Sequence, residues 1–462
     1  MSRTKGLLRH QRESIFQKCI NVTSLQDLLS VQEKIAEDIR TTEREISANG
    51  RTDSLTFHVS RLRLYADGIV WFVLHPHTIR QMAKNPRPVP SIKDQGAIFD
   101  HTIESAKRNL RKYKAPVLIC DITNILRFGD LLVCIDPEVP LVVECKSKLP
   151  KPEYIMQGRR GRQISRFTSM MRYLHEGFSK VFGEKLRYYA VDSTYKTDRN
   201  WDILAEVCQK ACKTGIAQKD ISEYEVLWAY TPEHRDSLGS KLVQLQSIVS
   251  GPEEHKDQIV YFGTSSDLMN MTDGLYPPPS AWPIPAEMRF AVLEGDIEIA
   301  HVLDGRAFER KSLQGEGIKM IHKDDFPIHV TIDGIVYPLS RRFIYDVLYG
   351  FETVDSCVKG LIAFARKLQS TKFPDIQGNM EGKPTIRHVE NLEEAKSLLN
   401  SGVDDITLVS MSASLMEFIW QGRRPDASCN SVSGDVHDAN HAYAILDLQT
   451  FKKLMSNYGD GQ

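Results

Sequence analysis

The stretch Arg127–Lys148, RFGDLLVCIDPEVPLVVECKSK, decides how the rest of the chain is read. Two apolar runs, Leu131–Ile135 and Leu141–Val143, are rich in β-branched residues and short enough to be buried strands. Between them, Asp136-Pro137-Glu138-Val139-Pro140 cannot continue a central strand, because proline has no N–H to donate. The pattern predicts a β-hairpin. A turn centred near Glu138 sets Asp130 roughly opposite Lys146, with Glu144 two residues earlier on the same face. Two carboxylates at strand ends are hard oxygen donors that suit Mg²⁺ or Mn²⁺. A metal held there activates a water and stabilises charge on a phosphorus, and a lysine beside it orients the water or the phosphate.

This arrangement resembles the PD-(D/E)xK nuclease superfamily, the restriction-endonuclease-like fold. Asp130 matches its first acid, and Glu144-Cys145-Lys146 matches the (D/E)xK tripeptide. The leading proline is absent; Gly129 stands there. The tripeptide alone says little, since ExK also occurs at Glu254-Lys256, Glu309-Lys311 and Glu394-Lys396. Context distinguishes Glu144-Lys146: an apolar strand precedes it, and an acid opens the strand before that. A buried hairpin ending in an ion pair is the plain alternative.

The surrounding elements follow the order of that family's core. A helix opens at Gly96 and runs to about Tyr113; Val117–Cys120 is a strand; the hairpin follows. A helix leads from Gly158 through Leu174, and Leu186–Val191 is a strand. The order is αβββαβ, and the resemblance covers roughly residues 96–195. It implies Asp130 and Glu144 as metal ligands and Lys146 as the group that assists the water. In that family an acid on the first helix often joins the metal. Asp100 and Glu104, one turn apart on one face, are the candidates here. Gln163 falls where a branch of the family carries a QxxxY element, with Phe167 in place of the tyrosine.

Local charge points to a polyanion. Between Ser105 and Arg172 there are 14 Lys and Arg against 6 Asp and Glu, although the whole chain carries a net charge of −1. Lys107, Arg108 and Arg111 on the first helix, Lys148 after the tripeptide, and Arg159, Arg160, Arg162 and Arg166 near the second helix form a basic zone fit for a phosphate backbone. A solvated basic face is the bland reading of the same residues.

The 462-residue chain is long enough for two or three domains. Residues 1–85 read as an N-terminal helical module, with a capping box at Ser24–Asp27 and a helix break at Pro76. His75 and His77 flank that break and read as loop histidines. The proline-rich stretch Asn85–Pro90 marks a linker, and residues 91–270 form the nuclease-like domain, including strands at Tyr224–Tyr230 and Ile259–Gly263. A second linker at Leu275–Pro279 precedes an α+β domain at 286–462. That domain has a hairpin at Phe326–Leu339 turning on Asp333-Gly334, helices at Arg341–Tyr349, Val354–Leu368, Leu392–Leu399 and Ser414–Gln421, and a strand at Ile406–Val409. His437 and His441, with Asp435 and Asp438, form a candidate metal cluster or a mobile loop.

Eight scattered cysteines suit reduced thiols rather than a disulfide frame. No apolar run of membrane length, signal peptide or lipidation motif is present, so the expected place is the cytoplasm. No Walker A motif argues for a motor. The expectation is a Mg²⁺- or Mn²⁺-dependent phosphodiesterase acting on DNA, an endonuclease more than an exonuclease, in restriction or antiphage defence. A homo-oligomer, and a protein partner or activator at the C-terminal domain, are consistent with it. An RNA nuclease and a non-catalytic nucleic-acid-binding or sensor protein are the rivals.

Overall fold

The structure is a computed structural model that describes residues 2–83, 89–126, 129–137, 140–146, 178–179, 188–189, 197–236, 260–271, 274–309, 316–320, 327–339, 341–370, 385–389, 392–400, 407–412 and 441–447. In chain order the elements begin with helices α1 (Ser2–Ile20), α2 (Leu25–Asn49), α3 (Asp53–Val73), α4 (Pro76–Ala83) and α5 (Gly96–Tyr113). Strands β1 (Val117–Ile119), β2 (Leu131–Val133), β3 (Leu141–Lys146), β4 (Phe178–Ser179) and β5 (Tyr188–Tyr189) follow. Then come α6 (Trp201–Thr214), β6 (Ile216–Ser222), β7 (Glu225–Tyr230), β8 (Val260–Thr264), α7 (Ser265–Asn270), α8 (Ala286–Glu294), β9 (Glu298–Asp304) and α9 (Arg306–Glu309). The remainder is β10 (Glu316–Met320), β11 (Ile328–Ile332), β12 (Ile335–Leu339), α10 (Arg342–Leu348), α11 (Val354–Ser370), β13 (Thr385–Val389), α12 (Leu392–Asn400), β14 (Thr407–Ser412) and β15 (His441–Asp447).

Two compact units result, and each is made of two separated segments: residues 1–16 with 191–375, and residues 17–190 with 376–462. This division differs from the boundaries expected at 85–91 and 270–286. Of the first proline-rich stretch only residues 89 and 90 are described, and the second is held in place by its contacts. Pro90 gives its carbonyl to Arg63 (3.0 Å). Pro279 and Ser280 are buried, and the carbonyl of Pro277 takes the indole N–H of the buried Trp282 at 3.1 Å. In the second stretch proline shapes chain that is packed into a core.

The unit of residues 17–190 and 376–462 is built on a six-stranded sheet of order β1-β2-β3-β15-β14-β13. Leu131, Leu132 and Val133 are fully buried, as are Leu118 and Ile119. A strand with no exposed face is what an uninterrupted apolar run encodes. At the outer edge β1 would leave backbone groups unpaired. Gln32 of α2 takes the place of a neighbouring strand there: its amide nitrogen donates to the Val117 carbonyl and its amide oxygen accepts from the Ile119 N–H, both at 2.9 Å.

Other buried polar contacts fasten the helices. Asp67 of α3 accepts from the backbone N–H of Asn124 (2.7 Å) and of Ile125 (3.3 Å), and from the Asn124 amide at 2.7 Å. Arg63 pairs with Glu43 at 3.1 Å and donates to the Asp121 carbonyl at 2.8 Å. Burial is the larger influence on the Arg63 guanidinium and lowers its pKa, partly offset by Glu43. Helices α2 and α3, expected in a separate N-terminal module, therefore share one core with the sheet.

The other unit carries a four-stranded antiparallel sheet of order β6-β7-β9-β8 and a three-stranded meander β10-β11-β12. The expected hairpin turns at Asp333 (φ 50) and Gly334 (φ 78), two residues in the left-handed region that an Asp-Gly pair tolerates. Strands at Tyr224–Tyr230 and Ile259–Gly263 exist as β7 and β8, but they belong to this sheet and do not extend the one that holds β3. Arg12 of α1 joins the same unit through a pair with Glu294 at 2.6 Å, with side chains 6% and 2% exposed. No helix among the described residues is long and apolar enough to cross a membrane.

Candidate active site

The hairpin forms, with Leu131 opposite Val143, Leu132 opposite Val142 and Val133 opposite Leu141. The turn is thus centred on Pro137, one residue earlier than expected. Moving a turn centre by one moves the pairing by two, so the faces are kept. Continued one step, this register sets position 130 opposite Glu144 rather than Lys146.

Asp130 closes the gap by itself. Its N–H donates to the Val143 carbonyl (3.0 Å), and its carboxylate accepts from the N–H of Cys145 at 2.5 Å. The first acid is clamped to the middle residue of the Glu144-Cys145-Lys146 tripeptide. Cys145 is 1% exposed, so its side chain lies in the core. Positions 144 and 146 fall on the opposite face of the strand. The side chains of Glu144 and Lys146 lie outside the described residues.

Gly129 explains why no proline precedes the acid. Its φ is +71°, where proline, fixed near −65°, cannot sit. A Cβ there would come within 2.4 Å of the Val142 side chain and 3.3 Å of the Val143 carbonyl. The glycine lets the chain pass close over β3 and delivers Asp130 to Cys145.

The strand on the other side of β3 is not Leu186–Val191. Within Leu186–Val191 only Tyr188–Tyr189 is described, and it pairs with Phe178–Ser179 in a separate two-stranded sheet. The place beside β3 belongs to β15, antiparallel, with His441 opposite Lys146, Ala442 opposite Cys145, Tyr443 opposite Glu144 and Ala444 opposite Val143. The chain is mixed α/β, and the described residues show α5-β1-β2-β3 of the expected αβββαβ order; the helix expected from Gly158 through Leu174 lies outside the described residues. The candidate cluster around His437 and His441 changes character, since His441 opens a strand; residues 435–440 lie outside the described residues.

The two helix acids sit elsewhere. Asp100 is 63% exposed and pairs with Arg40 of α2 at 2.7 Å, while Glu104, also 63% exposed, pairs with Lys107 at 3.1 Å. The described residues contain no group of three or more His, Cys, Asp and Glu able to hold a metal. Asp130 with position 144 is the pair the fold brings together. Of the basic residues, Lys107 lies between Glu33 and Glu104, and the hydrogen bond to Glu104 raises its pKa. Arg108 donates to the Ser105 hydroxyl at 3.0 Å, and Arg111 to the Lys107 carbonyl at 3.3 Å. Lys148, Arg159, Arg160, Arg162, Gln163 and Arg166 lie outside the described residues.

A second polar centre, not read from the sequence, lies in the four-stranded sheet. His301 of β9 and Glu225 of β7 meet at 3.0 Å, with side chains 1% and 2% exposed. The other ring nitrogen of His301 is 3.2 Å from the Leu348 carbonyl. A carbonyl only accepts, so the Leu348 contact requires the ring hydrogen on Nδ1. The imidazole also stacks on Phe351, with centroids 5.9 Å apart and planes 7° apart. His301 lies between the glutamate, a carbonyl and a ring, with no access for a substrate; it is a core contact. Its only sequence signal is a histidine within the apolar run EIAHVLD. The thiols of Cys208 and Cys134 are likewise inert, since burial raises the first to about 12 and the second further still.

Comparison of the chain with protein-family models, with characterised proteins and with solved structures found no match.

Proposed function

We propose that the chain is a metal-dependent nuclease that hydrolyses DNA phosphodiester bonds, cutting within strands, with restriction or antiphage defence as its setting. One observation carries this reading: the Asp130 carboxylate accepts from the N–H of Cys145, between Glu144 and Lys146. A carboxylate at a strand end, beside a second acid and a lysine on one sheet face, is a set with a use in phosphoryl chemistry and little use in a core.

Asp130 and Glu144 are the residues that would hold Mg²⁺ or Mn²⁺. They fit that role as hard oxygen donors on adjacent strand positions, one of them already oriented by a backbone N–H. A metal bound there supplies an activated water and a counter-charge for the phosphate. Lys146 positions the phosphate or the attacking water as a point charge. Asp100 and Glu104, paired with Arg40 and Lys107, serve as surface ion pairs in this account.

The test is cleavage of supercoiled plasmid, linear duplex and RNA by the full chain in Mg²⁺, Mn²⁺ or EDTA, beside Lys146→Ala. Metal-dependent cutting of DNA that the variant loses supports the reading, and the panel separates DNA from RNA. Salt-sensitive binding without cutting, the same in both proteins, would replace it with a binding module.

A further inference from the structure

The pairing of β15 with β3 places a histidine and a tyrosine abreast of the tripeptide. The two strands agree in pattern as well as in register. Ala442 and Ala444 stand opposite Cys145 and Val143, which are 1% and 4% exposed. His441 and Tyr443 stand opposite Lys146 and Glu144. Small apolar residues thus share the apolar face, and hydrogen-bonding residues share the face of the acid and the lysine. A slip of one residue would set His441 on the apolar face, so the register is well specified. The next strand continues the polar row, with Ser412 of β14 opposite Tyr443.

Directly opposed residues in an antiparallel pair have Cβ atoms about 5 Å apart. A neutral histidine can accept a hydrogen bond from a lysine, whereas a protonated one opposite a lysine sets two cations side by side. An anion between them reverses the sign. We propose that His441 binds the substrate phosphate together with Lys146, so that the site is a composite of two distant segments, residues 130–146 and the C-terminal strand 441–447. The inference rests on the nuclease reading above and names what it adds: the imidazole N–H donates to a phosphate oxygen, and cleavage depends on β15.

Four full-length proteins test it on supercoiled plasmid with Mg²⁺: wild type, Lys146→Ala, His441→Phe and His441→Gln. Phenylalanine keeps the strand preference and removes the donor; glutamine keeps an N–H. Removing one charge-stabilising donor costs about 10²-fold in rate. The expected result is a loss of that order in His441→Phe, partial recovery in His441→Gln, and an unchanged melting temperature in both. If Lys146→Ala is inactive while His441→Phe cuts at the wild-type rate, His441 has no such role and the nuclease reading stands. If Lys146→Ala cuts normally, the nuclease reading itself falls. Should His441→Phe lose its folded signal, Tyr443→Phe and His441→Gln are compared: an equal modest loss in both means that β15 is only a scaffold, whereas a loss confined to position 441 supports phosphate binding.

Discussion

Asp130 and Glu225 are both carboxylates held by a hydrogen bond within a β-sheet, and they have opposite surroundings. Asp130 sits just before β2 begins, half-buried, and accepts from a backbone N–H. Glu225 lies at 2% exposure against a histidine equally enclosed. A charge inside a sheet needs its partner permanently, and removing one member leaves the other stranded. A carboxylate at the end of a strand, half-buried, has its desolvation only partly completed. The contrast lies in burial, which residue type alone does not reveal.

The largest effect should follow from changing the charge at position 130 without changing its hydrogen bond. Asp130→Asn keeps an oxygen that can accept from Cys145. It should fold with an unchanged melting temperature and lose metal-dependent plasmid cleavage. Asp130→Ala should lose the activity and also about 1–3 kcal/mol of stability, because the Cys145 N–H is left unpaired. Full activity in Asp130→Asn would put the strand-end carboxylate in the same class as Glu225.

The buried pair should respond in the opposite way. Glu225→Ala should cost about 3–5 kcal/mol in urea unfolding. Glu225→Gln should cost much less, since its amide can donate to an unprotonated Nε2. Equal losses in both would mean that the pair is held by charge and not by one shared proton.

A smaller loss is expected at the edge of the site-bearing sheet. Gln32→Ala removes both contacts to β1 and should cost about 1–3 kcal/mol, seen as faster amide exchange at Ile119. Gly129→Ala should cost about 1–2 kcal/mol from the left-handed backbone alone, and more if Val142 cannot shift. It should also lower cleavage, since the glycine sets the height of Asp130 over β3.

The smallest effect concerns His101 of α5, where burial, helped by Arg108, lowers the pKa. The folded state then favours the neutral ring. Its contribution is present above the ordinary histidine pKa and fades as pH falls through that range. His101→Asn should show a slightly shallower loss of stability between about pH 7 and pH 5 than the wild type.

Local pattern was legible wherever the local signal was strong. The apolar runs at Leu131–Val133 and Leu141–Val143 could only be buried strands, and Pro137 and Pro140 could only interrupt them. The cap at Ser24, the turn at Asp333-Gly334 and the amphipathic helices at 201–214 and 354–370 follow from short-range geometry in the same way. The acid, the tripeptide and their common face were readable because a strand alternates with a period of two.

What lies across a sheet from a given strand is a different kind of question. Leu186–Val191 reads as a strand and the approach to His441 as a loop or metal cluster, and nothing within either segment says which one neighbours β3. That choice depends on which partner buries Cys145 and Val143 best and satisfies the outer backbone of β3, a comparison only the folded chain makes. The stretch Leu275–Pro279 misled for the same reason: proline fixes a local angle and says nothing of what packs upon it. The sequence by itself determined the hairpin strands and the turn chemistry, because these are properties of neighbours along the chain. The tertiary structure decided that Asp130 clamps Cys145, that Gln32 closes the sheet edge, and that a strand some 300 residues downstream stands beside the tripeptide, because those contacts join residues that no local rule connects.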